Sequence, residues 1–82
     1  MVTVEIYSKP DCCLCDEAKR VLEAVRRDVP FELREVNIAG DPERLAAYGQ
    51  EIPVVFIGGR KAFKYRVDER ELRRRLQREV AR

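Results

Sequence analysis

The chain has 82 residues, with 17 Lys+Arg against 15 Asp+Glu and no histidine. That length fits one domain, spanning 1–82, with a small core and no room for a nucleotide fold or a large enclosed cofactor cavity. The missing imidazoles exclude Ser/His and Cys/His catalysis and histidine-dependent zinc sites, while a net charge of +2 with interspersed signs argues against a nucleic-acid partner held by a basic field.

The first residues, Met1-Val2-Thr3-Val4-Glu5-Ile6, carry no basic leader and no long apolar run. No signal peptide and no membrane contact are expected. A cytoplasmic location follows, where thiols are kept reduced.

Residues 2–7 alternate and are rich in β-branched and aromatic side chains, which predicts a first strand. Ser8-Lys9-Pro10-Asp11 is a turn. From Cys13 to about Asp28, Leu14, Ala18, Val21, Leu22 and Val25 recur on one face of an amphipathic helix, and Asp28-Val29-Pro30 ends it. Phe31 to Ile38 predicts a second strand, although its apolar phase slips between Leu33 and Val36. Asp41 is the expected cap of a short helix with Pro42 at its first position, ending at Gly49.

Residues 52–57 (Ile-Pro-Val-Val-Phe-Ile) form a third, central strand. Gly58-Gly59 is a hairpin turn, and residues 60–66 are its partner strand, with Ala62 facing the core. Asp68-Glu69-Arg70-Glu71 reads as a capping box. It opens a last helix whose stripe is Leu72, Leu76 and Val80. Arg73-Arg74-Arg75 on that helix reads as a solvated face balanced by Glu69, Glu71 and Glu79. The resulting order is β-α-β-α-β-β-α. It predicts an α/β fold with a four-stranded mixed sheet and helices on both faces.

Three cysteines lie within four positions, Cys12-Cys13-Leu14-Cys15. Cys12 and Cys15 form a C-x-x-C pair at the junction of a strand loop and a helix. There Cys12 faces the unpaired N–H groups of the first turn and the positive end of the helix dipole, which both favour its thiolate. Cys15, one turn deeper, is within disulfide reach. An exposed thiolate with a buried thiol behind it suits two-step exchange, in which Cys12 attacks a disulfide and Cys15 resolves the mixed disulfide. C-x-x-C is also half of a zinc or Fe–S site, which needs about four ligands. The chain offers only Cys12, Cys13 and Cys15. A metal or cluster carrier shared between two chains is therefore the alternative reading. Cys13 reads as an exposed residue at the variable position, or else as a third thiol.

The segment Tyr7-Ser8-Lys9-Pro10-Asp11-Cys12-Cys13-Leu14-Cys15 resembles the active-site segment of glutaredoxins and glutaredoxin-like thioredoxin-fold proteins. It is similar in particular to short members with a C-x-L-C centre followed by Asp16-Glu17-Ala18-Lys19. The similarity extends to Val36-Asn37-Ile38, to residues 52–59 and to Val67-Asp68. It implies a thioredoxin-like fold and a small thiol–disulfide oxidoreductase. It further implies a cis Pro53 against the cysteines, with the backbone of Ile52 pairing with the substrate. Lys9 would serve the thiolate or a glutathione carboxylate. The implied enzyme is a monomer with no bound metal or resident cofactor. It would act on a disulfide-containing protein or a glutathione mixed disulfide, and glutathione or thioredoxin reductase would reduce it. One departure stands out. Where glutaredoxins place a Gly-Gly that admits glutathione, this chain has Phe63-Lys64, and its Gly58-Gly59 belongs to the hairpin. That departure counts against a glutathione site.

Overall fold

The computed structural model describes residues 1–80, with side chains through Glu79. Strand β1 (Thr3–Ser8) leads through helix α1 (Cys13–Asp28) to β2 (Glu32–Asn37). Helix α2 (Pro42–Tyr48) leads to β3 (Val54–Ile57), and β4 (Arg60–Lys64) precedes α3 (Glu69–Val80). The strands lie in the order β2-β1-β3-β4. β1 runs parallel to β2 and antiparallel to β3, and β3 runs antiparallel to β4. The order and mixed sheet are those expected from the sequence.

Period-two alternation assigns each strand residue to a face. Val4, Ile6, Val55 and Ile57 turn to one side, where Ala18, Leu22 and Val25 of α1 and Leu72 and Leu76 of α3 meet them with Phe31. Tyr7, Val54 and Phe56 turn to the other, against Ile38 and the α2 residues Leu45 and Tyr48. The phase slip in β2 has the same origin. Leu33 packs on the α1/α3 side and Val36 on the α2 side, so this edge strand contributes one apolar residue to each face. Val80 was expected to complete the α3 stripe, but its side chain lies outside the described residues.

The caps explain where the helices begin. Asp41 accepts the Arg44 backbone N–H at 3.1 Å, with Pro42 in the first turn. Asp68 accepts the Glu71 backbone N–H at 3.0 Å. The reciprocal half of the expected capping box is not made, because Glu71 turns its carboxylate to Arg74 and Arg75. Arg73 pairs with Asp28 at 3.0 Å and with Glu69 at 3.2 Å. The arginine run is therefore an ion-paired, largely solvated face that adds little stability.

Three strands are shorter than the sequence implies, β2 by one residue at each end. β3 starts at Val54, after a cis Ile52–Pro53 peptide, since proline offers the ladder no donor. β4 stops at Lys64, because Tyr65 adopts a left-handed φ of 68° and leaves the extended path. Gly58 and Gly59 have φ of 57° and 82°, the paired positive values that a tight hairpin turn requires. A bulge between Val55 and Phe56 sets Phe63 opposite Val55 and Lys61 opposite Phe56. Ala62 and Phe63 consequently both reach the α1/α3 core.

Candidate active site at the strand ends

The register collects the chemistry at one edge of the sheet. Ser8 ends β1 beside Asn37 of β2. Tyr7 lies opposite Val54, so the register carried one residue further sets Pro53 against Ser8. Val54 in turn lies opposite Lys64. The loops holding the cysteines, Pro53 and Tyr65 thus emerge together, at the carboxyl ends of the parallel strands where open α/β sheets bind ligands.

Asp11, at φ 59°, turns the chain into α1. Asp tolerates this left-handed region better than most residues. Cys12 follows as the helix cap, with extended backbone angles. The backbone N–H of Cys15 donates to Cys12 Sγ at 3.3 Å, and the Asp16 N–H donates to the Cys12 carbonyl at 3.1 Å. The sulfur occupies the place that a Ser or Asp oxygen takes at an ordinary cap.

The three cysteines are all free and differ in depth. Cys12 is half-buried, Cys13 exposed and Cys15 buried at 1% exposure. Cys15 packs on the buried side of α1 with Ala18, Leu22 and Val25, whereas Leu14, expected on that face, is only partly covered. Burial pushes the Cys15 thiol up to about 11 from an ordinary 9.0, and the hydrogen bond and charge of Cys12 add to the rise. The Lys9 backbone and the Lys19 charge pull the other way.

This raised value ties stability to pH. The folded chain prefers the protonated thiol, so the stabilisation is complete below about pH 9 and is lost as pH rises through about 11. The loss is on the order of 2–3 kcal/mol. Urea midpoints measured under reductant at pH 8.5 and 11 should fall further for the native sequence than for Cys15→Ala. Equal falls would mean that the buried thiol does not contribute.

Lys9 is half-buried and lines an open recess of about 320 Å³ with Ser8, Pro10, Lys19, Glu35 and Asn37. Lys19 pairs with Glu35 of β2, which raises the Lys19 value and ties α1 to the sheet edge. Ile52 is half-buried beside Val54, and Pro53 is buried in the cis form that the sequence comparison implies. The Pro53 carbonyl accepts the Tyr65 N–H at 2.9 Å. The sequence reading did not anticipate the left-handed backbone of Tyr65 or the Lys19–Glu35 pair. Lys19 sits four residues after Cys15, one turn away on the same helix side, and that spacing is the signal that could have found it.

No group of three or more His, Cys, Asp or Glu side chains among the described residues could hold a metal ion. With Cys15 turned inward and Cys13 outward, the cysteines do not converge as ligands, and the carrier alternative finds no support. No helix among the described residues is long and apolar enough to cross a membrane.

Residues 3–77 match the sequence model of the glutaredoxin-like domain family (DUF836). A thioredoxin of Methanocaldococcus jannaschii is 33% identical over 61 residues, covering 71% of this chain and 72% of that protein. The X-ray structure of the protein XcR50 from X. campestris superposes with a TM-score of 0.78 at 30% identity, over 92% of this chain and 96% of the other. Fasciola hepatica thioredoxin superposes with a TM-score of 0.63 at 21% identity, over 94% and 79% of the two chains, which shows the thioredoxin fold. The chain, with its C-x-L-C pair at the head of α1 and its cis proline before β3, belongs to the glutaredoxin-like domain family of the thioredoxin superfamily.

Proposed function

We propose that the chain is a small thiol–disulfide oxidoreductase in which Cys12 attacks and Cys15 resolves. The observation that carries this reading is the 3.3 Å hydrogen bond from the Cys15 N–H to Cys12 Sγ at the head of α1. Donors at a helix N-terminus favour negative charge on the sulfur they face. In the first step the Cys12 thiolate forms a bond to one sulfur of the substrate disulfide, and the other sulfur leaves as a thiolate. In the second step Cys15 gives up its proton and attacks Cys12 Sγ, which releases the remaining substrate thiolate. A Cys12–Cys15 disulfide is left, and two electrons have passed to the substrate. An external thiol or a reductase must return them.

The substrate chain would lie along Ile52 and Pro53, with Lys9 beside it. Glutathione as the returning thiol is disfavoured by Phe63-Lys64 at the position where a Gly-Gly would admit it. The reading extends to a cytoplasmic monomer acting on protein disulfides. Mild oxidation followed by alkylation and peptide mass mapping should give one disulfide joining Cys12 to Cys15, with Cys13 alkylated. A reductase assay run once with glutathione and its reductase, and once with thioredoxin reductase, should respond more strongly to the latter. Oxidation that leaves Cys12 and Cys15 unbridged, together with no turnover in either assay, would refute the reading.

A further inference from the structure

The resolving step asks for a charge where the fold resists one. Cys15 is 1% exposed, yet it must become a thiolate before it can attack, and burial holds its thiol well above neutral pH. Few groups face it. From its own helix come Lys19 and the exposed Asp16, from the cap Cys12, from the β1–α1 loop the Lys9 backbone, and from β2, beyond Lys19, Glu35. Strand β3 is apolar throughout. Glu5 and Tyr7 of β1 lie on the other side of the sheet, since Val4 and Ile6 face α1. Helix α3 meets α1 through Leu72 and Leu76, and its Arg73 pairs with Asp28 at the far end of α1.

Lys19 is the cation of this set with a fixed place. It sits one helical turn beyond Cys15 on the same side. Its ammonium pairs with Glu35, which lies beside Ile6 in the β1–β2 ladder and so points to the α1 side. A pair this open adds little stability, but it clamps the ammonium between helix and sheet edge. Of the two partners, Lys19 is the one whose charge reaches the thiol. Both line the open recess of about 320 Å³ that also touches Ser8 and Lys9, so solvent approaches the buried sulfur from this side.

We propose that Lys19, held in place by Glu35, is a positioning residue for the resolving step: its ammonium stabilises the Cys15 thiolate as the thiol proton leaves for solvent through the recess. The thiolate then bonds to Cys12 Sγ, the bond from Cys12 to the substrate sulfur breaks, and the substrate departs as a thiolate. The inference rests on the oxidoreductase reading above and adds to it a residue that speeds its second step.

The test is a stopped-flow reaction of the reduced protein, in a Cys13→Ser background, with one equivalent of dithiobis(nitrobenzoate). Attack by Cys12 releases one coloured aromatic thiolate, and resolution by Cys15 releases a second. Removing a cation this close should raise the Cys15 thiol by about one pH unit. The rarer thiolate is also the more nucleophilic one, so Lys19→Met should slow the second release only about threefold to fourfold at pH 7. It should leave the first release within about twofold of the native rate. The deficit should vanish as pH rises far enough to ionise Cys15 in both proteins. Lys19→Arg should restore the native rate, and Glu35→Gln should fall between. A merely structural defect would slow resolution equally at every pH. A pH-independent deficit therefore overturns the role of Lys19, as does a second release that Lys19→Met leaves unchanged, and in both cases the oxidoreductase reading stands. Native protein that gives no second release refutes both.

Discussion

Replacing Cys12 with serine is expected to lower kcat/KM for disulfide reduction at least ~10³-fold, the scale of loss seen when a nucleophile is removed. A serine hydroxyl can take the cap position and accept the Cys15 N–H, so α1 should still begin where it does. It cannot attack a disulfide. The companion variant separates the two steps. Cys15→Ser keeps the attacking sulfur but has no thiol to release the substrate, so it should accumulate as a mixed disulfide, visible on non-reducing gels and by mass. Cys13 is exposed and takes no part in the cap, and Cys13→Ser should change rates less than about twofold. Cys12→Ser retaining a tenth of the activity would overturn the assignment. So would a loss in Cys13→Ser that matches the loss in Cys12→Ser.

Replacing Phe31 with alanine should destabilise the fold by about 3–5 kcal/mol. Phe31 heads the fully buried side chains at 1% exposure, and it meets α1, α3 and the sheet in the main core. The backbone around it is fixed from both sides. Arg26, in the last turn of α1, donates to the Phe31 carbonyl at 3.2 Å, and the Glu32 N–H donates to Val2 at 2.9 Å. The site therefore cannot collapse freely onto the space the ring leaves. A chain of this length has a total stability on the order of 4–12 kcal/mol, so the variant should melt roughly 12–40 °C lower. A fall of less than about 5 °C would show that the core relaxes around the gap. Arg74→Ala, which loses only a surface ion pair, should stay within about 0.5 kcal/mol of the native sequence.

Much of this architecture is legible along the chain because local chemistry agrees with the global fold. Asp41-Pro42, Gly58-Gly59 and Asp68 each mark a boundary by a mechanism that acts within a few residues. The C-x-x-C pair can be placed at a helix start for the same reason. What stays hidden depends on partners far apart in sequence. The slip between Leu33 and Val36 makes sense only once β2 is an edge strand with a core on each side. Glu35 finds Lys19 only because its face of β2 looks toward α1. Tyr65 carries no sequence mark of its left-handed backbone, since its geometry is set by the Pro53 carbonyl across the loop. The expected reach of Glu71 back to its cap fails because two arginines one turn on compete for the same carboxylate.

The placement of β1 between β2 and β3 also governs how the chain can acquire its chemistry during synthesis. On the ribosome, β1, α1 and β2 emerge first and can form the parallel unit. The central strand then still lacks its other neighbour, since Val4 pairs with Ile57 far downstream. Until β3 docks, Cys12 and Cys15 stand at the tip of a half-built sheet with no proline loop beside them. The thiols and the proline loop thus come from two segments that meet only where β3 pairs with β1.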